Sequence, residues 1–292
     1  MKPSPLIIAF MAWLAVFAIY PENSGATEFN RPNGGRSAGM AYSSVTLSDF
    51  WSIQNNQAGL ANLTAFAAGI NYENQFLVNE MSLKSGGFVA PSKFGVFGLN
   101  YQYFGYSQFS RSKIGLAYGK SFGEKISAGL QLDYLSTHIA EDYGNKSNVT
   151  FELGVRAVLS ENLVLAAHTF NPINAKLEDQ FGERISAIYK LGLMYTITDD
   201  FLIMAEAEKA MNFKPLIRGG IEYIIIEQLS ARVGYSTLPS SSGSDDFSIA
   251  SLYTFGFGLK LGSLDIDFAA SVHQVLGWSP VVSLVYKFGS ND

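Results

Sequence analysis

Cysteine is absent from the 292-residue chain, histidine occurs three times, and charged residues make up 15% of it. Without cysteine there is no thiol to lipidate beside an N-terminal cleavage site, and the chain suits an oxidising compartment. The charged fraction lies well below the roughly 25% of a soluble domain, which argues against a water-covered globule. A net charge of −5 offers no basic footprint for nucleic acid. Beyond Tyr20 no run approaches the ~20 apolar residues of a membrane-crossing helix, so helical spans are excluded from the rest of the chain. His138, His168 and His273 lack metal-ligand spacing such as H-E-x-x-H, and no metal or cofactor is implied.

The chain is rich instead in glycine (28), phenylalanine (22) and tyrosine (15). It opens like a secretory signal. Lys2 is the short basic start, Leu6 to Tyr20 is nearly all apolar, Pro21 breaks the run, and Ser24-Gly25-Ala26 supplies small residues for cleavage after Ala26. Residues 1–26 are therefore read as a signal peptide.

From Thr64 to Phe288 apolar residues return on every second position. Ile126, Ala128, Leu130, Leu132 and Tyr134 form one series, and Ile185, Ala187, Tyr189, Leu191, Leu193, Tyr195 and Ile197 another. Such alternation puts bulky side chains on one face of a strand. The other face carries glycines (Gly98, Gly119, Gly129, Gly154, Gly192, Gly220, Gly234, Gly256) and most of the charges. A soluble barrel fills its inside with bulky residues; apolar outside and polar inside is the membrane-barrel arrangement. Tight links at 123–125, 160–162, 198–200, 226–228 and 262–263 alternate with longer ones at 104–111, 136–147, 171–184, 209–215, 237–248 and 273–279. Short periplasmic turns and longer external loops alternate in this way in outer-membrane barrels. The predicted fold is all-β, an antiparallel transmembrane barrel of about fourteen strands over residues 64–292, with twelve as the alternative count. Aromatic residues gather near strand ends, as rings do at the lipid headgroups. The last strand ends Leu284-x-Tyr286-x-Phe288 and resembles the terminal signal read by barrel-assembly machinery.

Residues 27–63 show no alternation. They read GGRSAGMAYSSVTLSDFWSIQNNQAGLANL over positions 34–63, and Asp49 is placed to cap a short helix over 50–54. This order, followed by alternating strands, resembles the FadL-like superfamily, most closely the PorV/PorQ branch associated with type IX secretion. Arg36, Gly39, Met40, Asp49, Asn56, Ala58, Gly59 and Leu60 stand at the family's motif positions, while Gln57 replaces its usual proline. The resemblance implies a fourteen-stranded barrel in the bacterial outer membrane whose N-terminal segment enters the lumen as a hatch. Arg36, Asp49, Trp51, Asn56, Gly59 and Leu60 are its candidate plug residues.

Strand parity points Lys113, Arg156, Lys190, Arg218, Arg232 and Lys260 inward, with Asp133, Glu152, Glu206, Glu208, Glu222, Asp265 and Asp267. An open selective pore more often carries one dominant sign. Near-balanced charges suit a filled lumen in which groups removed from bulk water find partners. Catalytic patterns are weak. Gly119-Lys120-Ser121-Phe122-Gly123 matches a hydrolase elbow, but it ends a strand and is followed by another, where the chemistry needs strand–turn–helix. Asp245-Asp246 is a solvated acidic pair in a serine-rich loop, a minor calcium candidate. The leading expectation is therefore a non-enzymatic accessory or scaffold barrel docking a secretion-machinery or surface protein. The alternative is FadL-like passive transport of small hydrophobic molecules, and a lipase built on His273 and Ser271 is remote. Side release from the lumen would need a break in the wall, and Gly86-Gly87 in the poorly alternating second strand, facing Phe97 and Leu99, is the candidate bulge.

Overall fold

The computed structural model describes residues 28–140, 144–175, 185–210, 215–238 and 250–289. The signal-peptide segment and the Asp245-Asp246 pair lie outside them. The described residues form fourteen antiparallel strands in sequence order, and the first pairs with the last to close a barrel. The strands are β1 (Phe66–Asn74), β2 (Ser82–Ser92), β3 (Gly95–Gly105), β4 (Phe109–Phe122), β5 (Ile126–Ile139), β6 (Gly144–Ser160) and β7 (Leu163–Phe170), then β8 (Ile188–Thr198), β9 (Phe201–Ala210), β10 (Leu216–Ile226), β11 (Leu229–Leu238), β12 (Ala250–Leu261), β13 (Leu264–His273) and β14 (Gly277–Phe288). The alternative count of twelve is set aside.

Closure follows from the surroundings. Hydrocarbon contains no water to bond an open sheet edge, so every strand must find a neighbour on both sides. The face assignment is inverted relative to a soluble protein. Leu116 is 58% exposed and Ile70 62%, whereas Lys113 is 1% exposed and Glu152 not at all. Aromatic rings mark both rims. Phe66 packs on Phe88, and Phe88 on Phe288, at the rim of the tight turns; Tyr235 and Tyr253 pair near the opposite rim. This is an integral barrel of the bacterial outer membrane.

Residues 28–63 run through the barrel. Phe29 lies among Leu135, Phe170, Ile185, Ile188 and Ala210, at the end carrying the longer loops. The chain then passes through short helices at Gly35–Gly39 and Ser52–Asn55 and a 3-10 turn at Gln57–Asn62, and enters β1 at the opposite rim. Helices of one turn are unstable alone; here the wall holds them. Asp49 caps the turn that opens at Phe50: its carboxylate accepts the Trp51 N–H at 3.0 Å and its carbonyl the Ser52 N–H at 3.1 Å, ahead of the regular helix Ser52–Asn55. One expectation needs correcting. The Gly86-Gly87 pair is not a bulge. Gly86 pairs with Ile70 and Tyr101, and Gly87 with Gly69 and Asn100, in a β2 register unbroken on both sides. The weak alternation there has another cause: Gly87 faces inward against Ile53, and a side chain would crowd it.

Inward glycines trace the path of the segment along the wall. A Cβ at Gly98 would meet Ile53 at 2.7 Å, and one at Gly69 would meet Phe50 at 2.6 Å. At Gly129, Gly154, Gly192, Gly220 and Gly234 it would overlap Gln57, Asn56, Val45, Met40 and Ala41. We predict that Gly154→Val pushes Asn56 off the wall and destabilises the folded barrel by roughly 1–3 kcal/mol. Gly154→Val should lower the temperature at which the folded band disappears on semi-native gels, whereas Ala128→Val on the lipid face should leave it unchanged.

Candidate functional site

The site is the interface between residues 28–63 and the inner wall, held by three groups of charges. In the first, the Glu152 carboxylate is fully buried and shared by four donors. Lys113 Nζ lies 2.9 Å from Oε1, Gln131 Nε2 3.2 Å from Oε1, Gln57 Nε2 2.8 Å from Oε2, and His168 Nε2 2.9 Å from Oε2. Asp133 joins by accepting from Gln131 at 2.7 Å, and the Asn100 amide donates both to Gln131 and to the Ile53 carbonyl of the internal segment. Gln57 thereby ties the internal segment directly to the wall.

In the second group Arg218 bridges Glu206 at 3.2 Å and Glu208 at 2.9 Å, with Lys190 3.8 Å from Glu208. Glu206 also accepts the backbone N–H groups of Ser44 and Val45 at 2.7 and 2.9 Å, and Arg156 donates to the Thr46 carbonyl at 3.0 Å. In the third, Arg36 reaches Glu222 at 2.5 Å and Asp49 at 3.3 Å, while Arg232 spans Glu222 and Asp267. Around Arg36 burial is the largest effect and disfavours the charge, but the Glu222, Asp49 and Asp267 carboxylates together outweigh it, so the guanidinium is held more firmly protonated than usual.

The candidate lumen residues thus divide. Lys113, Asp133, Glu152, Lys190, Glu206, Glu208, Arg218, Glu222, Arg232 and Asp267 join these networks, and Arg156 bonds the internal backbone. Lys260 and Asp265 sit apart, at the rim of the tight turns, where Asp265 pairs with Lys287 at 2.6 Å. With Arg36, Asp49 and Trp51 they line a cavity of about 330 Å³ at that mouth. Of the remaining candidate plug residues, Trp51 packs edge-to-face on Phe50 at 5.0 Å. Asn56 binds the Val45 carbonyl at 2.7 Å and accepts the Ala58 N–H at 3.2 Å. Gly59 leaves no room for a side chain beside Leu47 and Ser52, and Leu60 is buried over Gly119.

Sequence reasoning missed a fourth contact. Glu73 is 1% exposed; it pairs with Arg31 and accepts the Tyr42 hydroxyl at 2.8 Å. Glu73 alternates with the outward Tyr72, so parity carried the signal. Arg31 and Tyr42 lie in the segment without a period and carried none. Ile185 was read as lipid-facing, yet it precedes β8 and folds inward onto Phe29. Among the described residues no group of His, Asp or Glu has metal-site geometry. Ser121 is exposed at the end of β4, and His273 Nδ1 accepts the N–H groups of Val275 and Leu276, each at 3.1 Å.

An apolar outer wall, a polar inner face and a segment threaded through the middle define a plugged outer-membrane barrel. No family model matches the chain, and no curated protein matches it in sequence. Solved structures do match. The CymD monoaromatic hydrocarbon channel aligns over 88% of this chain and 97% of its own, at 11% identity and TM-score 0.67. The toluene transporter TbuX of Ralstonia pickettii aligns over 89% of this chain and all of its own, at 13% and 0.64. A Pseudomonas aeruginosa FadL homologue aligns over 93% of this chain and all of its own, at 12% and 0.62. At these identities the shared property is the FadL-type fold. The expectation of a PorV/PorQ secretion scaffold is overturned: these similarities run to hydrocarbon channels and a FadL homologue, and nothing in them carries the secretion branch.

Two predictions follow from the ties. Removing the Glu152 charge by Glu152→Gln strands Lys113 and should cost about 3–5 kcal/mol. Lys113→Met in the same chain should recover part of that, as a double-mutant cycle on unfolding in urea would show. The second concerns Tyr42, whose phenol burial and then the Glu73 carboxylate push above its ordinary range, with Arg31 opposing. A raised folded-state pKa contributes stability below the unfolded value of ~10, and that contribution fades as pH rises through the folded value. The stability gap between wild type and Tyr42→Phe should therefore be constant below pH ~10 and shrink above it, measured by thermal unfolding across that range.

Proposed function

We propose that this protein is a non-enzymatic, passive outer-membrane transporter of small hydrophobic molecules, with residues 28–63 as the luminal hatch. The observation that carries the reading is the filling of the barrel. The internal segment spans the lumen from rim to rim and meets the wall through glycines and ion pairs. Passage of an open aqueous stream is the wrong use for such a lumen. A molecule admitted one at a time by local rearrangement suits it, because ion pairs can re-form with other partners while the barrel stays closed.

The apolar cluster of Phe29, Leu135, Phe170, Ile185, Ile188 and Ala210 at the loop end supports the reading. It offers an entering apolar solute a dry surface with the segment's first described residues directly beneath. Arg111 lies over the Phe29 ring at 5.5 Å, placing a polar rim at its edge. The monoaromatic channels of the same fold make small aromatic hydrocarbons the first class to try.

Expression of the full chain should speed toluene uptake at least fivefold in cells lacking another hydrocarbon channel. The purified barrel in planar bilayers should show little steady ion conductance. Arg36→Ala with Glu206→Ala, which cut two of the ties, should raise that conductance severalfold. Uptake equal to that of empty cells would sink the transport reading.

A further inference from the structure

The lipid-facing surface is not uniform around the barrel. Across β12, β13, β14, β1, β2 and β3 one row of directly paired, outward residues runs Phe257, Phe268, Val282, Tyr72, Lys84, Tyr103. The row is tilted against the membrane plane. Counting from the tight turns toward the longer loops, Lys84 stands eight residues above Ser92, Tyr72 six above Phe66, and Phe268 four above Leu264. Lys84 is therefore nearest the outer rim, and Phe268 lies deepest of the three.

A lysine on the lipid face is unfavourable in hydrocarbon. Near a rim its stem lies along the wall and its ammonium reaches up to the headgroups. Lys84 is exposed, and its Nζ lies 5.9 Å over the Tyr103 ring. Tyr72 stands directly opposite it on β1. Among the described residues no carboxylate pairs with Lys84. A cation between two tyrosines at the headgroup level, with no carboxylate of its own, is complementary to an anionic lipid phosphate.

Two hollows lie below and beside this cation. Tyr72, Phe255, Phe257, Phe268, Pro280 and Val282 surround an outer groove of about 360 Å³. It exists because the small Ala270 is paired between Phe255 and Pro280. The β12–β13 and β13–β14 ladders beneath it are unbroken, so the groove is a feature of the outer surface alone. The second hollow is at Gly86, the next outward position below Lys84 on β2. It has no side chain and lies between Ile70 and Tyr101, which are 62% and 47% exposed. Gly87 is accounted for by Ile53 inside the barrel, whereas Gly86 faces lipid. Ile70 and Tyr72 form the ridge between the hollows, which gives the layout of two acyl chains under one headgroup.

We propose that this face is a specific site for an anionic, phosphate-bearing lipid of the outer leaflet. Lys84 takes the phosphate, with Tyr72 and Tyr103 beside it. One chain lies over Gly86, and the other lies in the Phe268–Pro280–Tyr72 groove. The site rests on the barrel's place in the outer membrane and is independent of what the lumen carries.

Trp278 supplies a local reporter. It is 54% exposed and is the next outward residue above Pro280 on β14, whereas Trp51 is buried in the lumen. The full chain would be placed in phosphatidylcholine vesicles containing a small fraction of chain-brominated phosphatidylglycerol or chain-brominated phosphatidylcholine. Quenching of tryptophan fluorescence should show the anionic lipid associating at least fourfold more strongly than the neutral one. Lys84→Gln should remove that preference and Lys84→Arg should keep it. Ala270→Phe, which fills the groove from the lipid side, should reduce quenching by both lipids. Inorganic phosphate at matched ionic strength should leave the preference unchanged. Equal association of the two lipids with the wild type, or a preference that survives in folded Lys84→Gln, overturns the site. Loss of the preference to inorganic phosphate overturns the lipid as its ligand.

Discussion

A backbone in hydrocarbon has no solvent to bond, and this constraint governs the rest of the molecule. It makes fourteen strands close on themselves, puts leucine and phenylalanine outside, and leaves lysine, arginine and carboxylates only the lumen.

Enclosing charge creates a second requirement. A buried carboxylate or guanidinium without a partner is strongly unfavourable, and residues 28–63 supply part of the pairing. Glu152 is completed by Gln57, Glu222 by Arg36, Glu206 by the Ser44 and Val45 amides, and Glu73 by Arg31 and Tyr42. Hatch and wall therefore complete each other. The hatch has helices of only five and four residues and gains its shape from the wall; the wall's charges gain their partners from the hatch.

The barrel was legible because its signal repeats. Ile126 to Tyr134 alternate for the same reason they lie on the lipid face, and most of the other strands repeat the test. The charged lumen residues were legible by parity, and Lys113, Glu152, Arg218 and Glu222 lie inward as alternation implies. Gly86-Gly87 misled, because a glycine pair in a weakly patterned strand suits either a bulge or close approach by another chain. Ile53 against Gly87 decided it, and Ile53 is distant in sequence. Arg31 and Tyr42 were not legible, since an aperiodic segment does not show which side of itself meets Glu73. The short motif around Arg36 and Gly39 pointed to the fold that the solved structures share, and the secretion-scaffold reading attached to it was overturned.

The amino-acid sequence alone determined which residues face lipid and which face the lumen, and that the strands form a closed antiparallel wall. Both follow from a period of two and from connection lengths, which are local properties. Only the tertiary structure decided which lumen charge pairs with which residue of the internal segment, and which glycines meet that segment. Those depend on the radial position of an aperiodic chain inside the cylinder, which contacts between segments distant in sequence set.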